Sequence, residues 1–282
     1  YPYFLEWMTD IGHIGVFKED HDGAMARFIG EADVIFCMDF NQINRLDRVT
    51  DTVTANTTAV RVLIDHHLHP PVDGYTVQFS DTHSCSTSYI VYQLIEALAG
   101  TDAIDQAMAE ALYVGIMTDT GNFSFSNLTS DLFRAVAVLI DRGVNVPYVN
   151  SSVYDNFSEG RMRLLGYMLN DKMVTDYRYG VAYVSLTEEE MRRFNFIQGD
   201  SEGFVNYPLS IRGIRMSAMF IQTKHSIRVS LRSRGSDVDV NVFARRYFDG
   251  GGHRNAAGGK SYVSMDETLK NFHTYLKEYF GA

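Results

Sequence analysis

Apolar positions along the chain follow two rhythms. Residues 32–40 (ADVIFCMDF) and 59–67 (AVRVLIDHH) are short runs rich in β-branched and aromatic side chains, and each closes on acidic residues. That pattern predicts buried strands. Residues 84–98, 105–117 and 131–140 instead place apolar side chains three and four apart, as at Ile90, Leu94 and Leu98. That spacing predicts helices with one face turned inward, the first opening on Ser and Thr as a capped helix does. Ser84, Ser86 or Thr87 is the expected cap, and the N–H groups of that helix start can turn toward an anion. Strands alternating with helices predict a mainly parallel, doubly wound sheet, in which ligands gather at the carboxyl ends of the strands. Asp39 and Asp65 fall at those ends.

The rhythm changes past Asn156. GRMRLLGYML reads as a connecting helix, DKMVTDYRYGVAYVSL as two strands around a Tyr-Arg-Tyr-Gly turn, and RMSAMFIQTKHSIRVSLRS as a second hairpin. Two helices follow, near residues 238–248 and 266–279, separated by the loop GGGHRNAAGG. The prediction is an α/β domain over residues 1–157, a connecting helix over 158–171 and a smaller α+β domain over 172–282.

Composition narrows the classes. With 282 residues the chain can hold two domains, and its apolar and charged fractions, 45% and 21%, are those of a globular protein. No apolar run would span a bilayer and no signal pattern opens the chain, so the expectation is a cytoplasmic protein. Cys37 and Cys85 stand in no metal-type spacing and predict two buried thiols. A formal charge of −10 argues against a protein that coats long nucleic acid, since such binding depends on neutralising phosphates. A short anionic substrate held by a local basic cluster fits better.

Two groups of residues invite chemistry. Asp39, Asp65, His66, His67 and Asp119 are carboxylates and imidazoles at strand and helix ends, with Asp119 in the glycine-containing GIMTDTGNF. Such donors suit Mn²⁺, Mg²⁺ or Zn²⁺, and the scarcity of thiols argues against structural zinc. Taken singly, each has an ordinary reading as a loop, helix-end or solvated residue; their joint placement favours a metal. The second group is Gly250 to Gly259, whose glycines can turn backbone N–H groups toward an anion, with His253 and Arg254 adding donors. A flexible loop is the plain alternative. Arg228, Arg232, Arg234, Arg245 and Arg246 lie near in sequence and weigh against it. The loop fits neither the Walker A nor the dinucleotide-binding glycine pattern. Asp237 to Val240, with its pair of acids, reads as a helix cap.

These motifs resemble the DHH family of phosphoesterases. VLIDHH carries the motif that names the family, Asp39 and Asp119 match the flanking aspartate motifs, and GGGH followed by Ala-Ala-Gly resembles the associated DHHA1 domain. The domain pair looks most like small bacterial oligoribonucleases that also dephosphorylate 3′-phosphoadenosine 5′-phosphate. The resemblance implies that Asp39 bridges two Mn²⁺ ions, with Mg²⁺ or Co²⁺ as substitutes, and that His66 and Asp119 complete one site. It implies that His67 faces the scissile phosphate and that Asp65 supports the histidines. It further implies that Arg232, Ser233, Arg246, Gly251, Gly252 and His253 hold a short oligoribonucleotide or small phosphorylated nucleotide, in a homodimeric enzyme whose domain cleft measures substrate length.

The family's opening strand carries a His and two Asp in a pattern like H-x-x-P-D-x-D, and nothing here matches it. The expectation is a chain that starts after that strand and lacks ligands for one ion. Exopolyphosphatase, pyrophosphatase or cyclic-dinucleotide phosphodiesterase activity are the rival chemistries. A non-catalytic nucleotide binder is the rival of another class.

Overall fold

The computed structural model describes residues 3–17, 20–124 and 127–281, which form two compact units divided after residue 156. In the first unit the elements run α1 (Ala24–Glu31), β1 (Val34–Met38), α2 (Thr50–Ala55), β2 (Val60–Asp65), β3 (Val77–Ser80), α3 (Thr87–Ala99), α4 (Gln106–Asp119), α5 (Ser130–Asp141) and α6 (Val146–Tyr154). The strands form a three-stranded parallel sheet in the order β1-β2-β3. β3 is an addition to the elements the sequence predicts.

Local chemistry sets the helix starts. Ser86 accepts from the Tyr89 amide, Asp105 from Met108, Thr129 from Leu132 and Asn145 from Tyr148, each satisfying an amide that the first helical turn leaves without a partner. The apolar faces of α3 to α6 meet around Leu112, Ile116, Met117, Leu132 and Leu139, while Val62 and Ile64 of β2 bury against Ile90 of α3. At Gly115 a Cβ would lie 1.9 Å from Ser88 Oγ and 2.7 Å from Ser88 Cβ. The bare glycine therefore lets the end of α4 approach the start of α3, where two of the candidate motifs lie.

The second unit contains α7 (Glu159–Tyr167), β4 (Val174–Asp176), β5 (Val181–Leu186), α8 (Glu188–Arg193), β6 (Met216–Gln222), β7 (Ile227–Ser233), α9 (Val240–Tyr247), β8 (Gly251–His253), β9 (Ala256–Ser261) and α10 (Met265–Phe280). Its six strands run in the order β4-β5-β6-β7-β9-β8, with β5 and β6 parallel and the other neighbours antiparallel. Strand alternation gives each face its own core. Tyr183, Phe220, Val229 and Leu231 pack with Phe243 and Phe272. Val184, Leu186, Met219 and Ile221 pack with Leu164, Leu165 and Phe204. Asp239 caps α9 through the amides of Asn241 and Val242, the role expected of the acidic pair.

The GGGH segment is strand rather than flexible loop. A Cβ on Gly250 would stand 1.9 Å from the Gly258 carbonyl oxygen, and one on Gly259 would stand 2.6 Å from that of Phe248. Bare glycines are what allow this close-packed hairpin. Among the described residues no helix is long and apolar enough to cross a membrane.

Candidate metal centre and anion surface

The first centre is built where β1, β2, α3 and α4 end or begin. The Asp39 amide donates to the Ile64 carbonyl at 3.1 Å, extending the strand pairing by one residue. Its backbone then turns left-handed, with φ of 64°, a conformation that costs a non-glycine residue about 1 kcal/mol or more and is concentrated at functional sites. β2 ends on Asp65, which is fully buried, and His66 and His67 follow. α4 ends on Asp119. Asn41 ties the two strand exits together, its Nδ2 donating to the carbonyls of Leu68 at 2.7 Å and His69 at 3.3 Å.

The hydrogen bonds decide what the imidazoles offer. His66 Nδ1 lies 3.3 Å from the Ser84 carbonyl, which can only accept, so Nδ1 carries the hydrogen and the neutral ring's lone pair is on Nε2. That Nε2 lies 3.6 Å from Asp39 Oδ1 and 3.8 Å from Asp119 Oδ2. These separations exceed hydrogen-bond length. They match donors that share one ion, since ligand atoms about 2.1 Å from a common centre lie about 3–4 Å apart.

Asp39, His66 and Asp119 offer donor atoms that all lie within 4.8 Å of one another, and so do Asp39, Asp65 and His67. Asp39 belongs to both groups. Three lone-pair donors converging in this way fit a divalent cation, and the all-oxygen-and-nitrogen set suits a hard or borderline ion.

Electrostatics point the same way. Burial pushes the Asp119 carboxyl up to about 6, the Asp39 charge adds to that push, and His66 and His67 oppose it. Burial also acts to raise Asp65, but the His67 hydrogen bond, charge and backbone amide outweigh it and hold the carboxyl low. Asp65 Oδ1 accepts from His67 Nδ1 at 2.7 Å and Oδ2 accepts from the His67 amide at 3.1 Å. A buried carboxylate thus holds that imidazole in one tautomer and one orientation, with Nε2 as its acceptor.

The second group lies on the sheet of unit 2. Arg232 pairs in register with Ala256, and Ala256 with His253, so the three form one row across β7, β9 and β8. The small Ala256 leaves a gap of about 10 Å, two strand spacings, between the two larger residues. Burial lowers the Arg232 pKa, and Glu202 acts in the opposite direction. Glu202 is carried on a segment anchored by Arg161, whose Nη2 donates to the Glu202 carbonyl at 2.8 Å and whose guanidinium stacks over Phe157 and Phe204 at 3.9 and 4.8 Å.

Gly251 and Gly252 line the hairpin, with Asn241 Oδ1 accepting from the Gly252 amide at 3.0 Å and from Arg245 Nε at 3.1 Å. A Cβ on Gly251 would meet Arg245 Nη2 at 3.8 Å, so Arg245 is the α9 arginine beside the glycines. Arg246 is exposed and lies over the Tyr247 ring at 5.1 Å. Ser233 is buried, its hydroxyl donating to the Val238 carbonyl at 2.8 Å.

Sequence reasoning passed over Asn41, the Ser84 carbonyl as an acceptor, Arg161, Asn241 and Glu202. The signal available was the polar residue in a run that otherwise reads as buried, as with Asn241 on the apolar face of α9.

Comparisons with known proteins place the two units in named domain families. Residues 4–116 match the DHH family, N-terminal domain, and residues 176–282 match the DHHA1 domain. The crystal structure of an exopolyphosphatase-related protein from Bacteroides fragilis is 38% identical, superposes with a TM-score of 0.91, and is matched over 99% of this chain and 80% of that one. The bifunctional oligoribonuclease and PAP phosphatase NrnA of Bacillus subtilis is 28% identical over 94% of this chain and 79% of its own length. The probable bifunctional oligoribonuclease and PAP phosphatase NrnA of Streptococcus mutans is 26% identical over 92% and 76%. Similarity of this extent, with both motif sets in place, makes the chain a member of the DHH family that carries a DHHA1 domain.

Proposed function

We propose that the protein is a divalent-metal-dependent phosphoesterase that hydrolyses short oligoribonucleotides to mononucleotides and removes a phosphate from 3′-phosphoadenosine 5′-phosphate. The observation that carries this reading is the convergence of Asp39, His66 and Asp119 on one point with their acceptor atoms inward. The printed activities of the Bacillus and Streptococcus relatives support the substrate class.

In this reading Asp39, His66 and Asp119 hold a cation, Mn²⁺ by preference, and Asp39 also faces a second group made with Asp65 and His67. Bound metal supplies Lewis-acid polarisation of the phosphoryl oxygens and acidifies water near neutral pH. The chain's own residues do the rest. Asp65 fixes the His67 tautomer so that Nε2 is the atom that takes up a proton in transfer and, once protonated, donates to a phosphate. The Thr87 end of α3 and the Gly115 contact keep Asp39 and Asp119 within reach of one ion. In unit 2, Arg232, Arg245, Gly251, Gly252 and His253 present donors for a nucleotide phosphate. Arg245 joins Arg246 as a candidate on α9, and Ser233, also a candidate, donates to the Val238 carbonyl.

The test is a rate comparison on the full chain with added Mn²⁺, across dinucleotides to five-mers, 3′-phosphoadenosine 5′-phosphate, long single-stranded RNA and polyphosphate. Faster turnover of the shortest RNAs and of the phosphoadenosine compound is expected, with chelation abolishing both. Rapid polyphosphate hydrolysis with none on dinucleotides overturns the substrate assignment, and saturable nucleotide binding without turnover under any divalent ion makes the chain a binder.

A further inference from the structure

Thr87 is the first residue of α3 and only 5% exposed. Its Oγ1 donates to Asp39 Oδ1 at 2.9 Å, a contact between residues 48 positions apart. The helix does not need this hydroxyl. Its N-cap is the preceding residue, Ser86, whose own oxygen accepts from the Tyr89 amide at 3.1 Å. The carboxylate does need it, because the Asp39 side chain is 59% exposed and leaves a left-handed backbone, so its own surroundings do little to select one rotamer.

The oxygen that Thr87 engages is the one facing His66 Nε2 at 3.6 Å. A β-branched donor at the start of a helix has few χ1 rotamers, and the bond to Asp39 selects one of them. Bonding one lone pair of Oδ1 leaves the other for a cation shared with His66 and Asp119. Three residues earlier, the Ser84 carbonyl engages His66 Nδ1. One short segment, residues 84–87, therefore aims two of the three donors of the Asp39, His66 and Asp119 group.

We infer that Thr87 is a positioning residue that sets cation affinity by orienting Asp39. This rests on the metal reading of the site given above. The Thr87→Val variant keeps the shape and removes the donor, and Thr87→Ser keeps the donor. Both are compared with the wild-type full chain after chelator treatment, by calorimetric titration with Mn²⁺ and by thermal unfolding with and without it.

Thr87→Val is expected to bind Mn²⁺ about 10- to 100-fold more weakly, the usual loss when a partner orienting a metal ligand is removed. Its unfolding temperature without metal should stay near wild type, while the rise on adding Mn²⁺ shrinks. Thr87→Ser should bind within a few-fold of wild type.

Equal Mn²⁺ affinity in Thr87→Val and wild type overturns the inference. So does a matching fall in metal-free stability and affinity in both variants, which marks a merely structural hydroxyl. If Thr87→Val does not fold, Thr87→Ser and Thr87→Ala decide between the same two outcomes. Wild type that takes up no divalent ion overturns the metal reading itself, an outcome separate from any difference among the variants.

Discussion

Asp119 stands in surroundings that resist its charge, with burial and the Asp39 carboxylate both favouring the proton. A carboxyl whose folded pKa is raised carries no penalty below its unfolded value near 4. The penalty develops as pH rises and is complete above about 6. Chelator-treated protein at pH 7.5 therefore carries a repulsion that a bound cation would relieve. With the side chain 41% exposed, solvent screening reduces this to roughly 1 kcal/mol. Asp119→Asn is expected to raise metal-free stability by about that much, or about 2–4 °C for a domain of this size, while metal uptake is lost and activity falls at least about 100-fold. Thermal unfolding with and without Mn²⁺ checks both halves, and a less stable metal-free variant refutes the repulsion. Asp39, His66 and Asp119 were legible in the sequence because each sits where an apolar run stops. Thr87 and Ser84 were not, because one acts through a single hydroxyl and the other through a main-chain carbonyl, and SCSTS by itself announces only a cap.

Elements with strong periodicity were readable almost to their ends. The hairpins β4–β5 and β6–β7 and the helices α9 and α10 fall where alternation and three-four spacing place them. β8 and β9 defeated the same reasoning, because a run such as GGGHRNAAGG lacks the β-branched side chains that mark strands, and its pairing depends on close backbone approach that only the folded neighbours reveal. The parallel pairing of β5 with β6 is likewise a matter of tertiary contact.

α8 shows how far local chemistry can be trusted. Its capping box joins Thr187 and Glu190, and the same carboxylate accepts from Lys172 Nζ at 2.6 Å and the Tyr167 hydroxyl at 2.7 Å. Burial acts to raise Glu190, but Lys172, the Thr187 amide and Tyr167 outweigh it and hold the carboxyl at about 2. A depressed carboxyl contributes stability that is present above its ordinary pKa near 4.5 and is lost as pH falls through 2. With the side chain 18% exposed, Glu190→Gln should cost roughly 2 kcal/mol near neutrality. Denaturant unfolding at a series of pH values should show the two proteins converging between about pH 4.5 and 2. A gap that persists unchanged into acid would show that shape, not charge, is what Glu190 supplies.

At the scale of the whole molecule, a formal charge of −10 and a local set of cationic side chains make opposite demands on an anionic substrate. The general field repels polyanions, while Arg232 and His253 offer donors from one row of the sheet and Arg245 offers one beside Gly251. Affinity for single-stranded nucleic acid falls with salt in proportion to the phosphates neutralised, at about 0.7 per contact on logarithmic axes. A substrate held by two or three phosphate contacts should therefore lose activity with a slope no steeper than about −2 between roughly 50 and 200 mM salt. An extended basic track would give a much steeper line and would let long RNA compete well. The measurement is kcat/KM for a dinucleotide across that salt range, with and without excess long single-stranded RNA. A slope beyond about −5, or strong inhibition by long RNA at low concentration, would mean that the chain carries an extended nucleic-acid surface despite its charge. A shallow slope with no such inhibition is the expected outcome, because a field of this sign leaves only short, few-phosphate substrates with a net gain on binding.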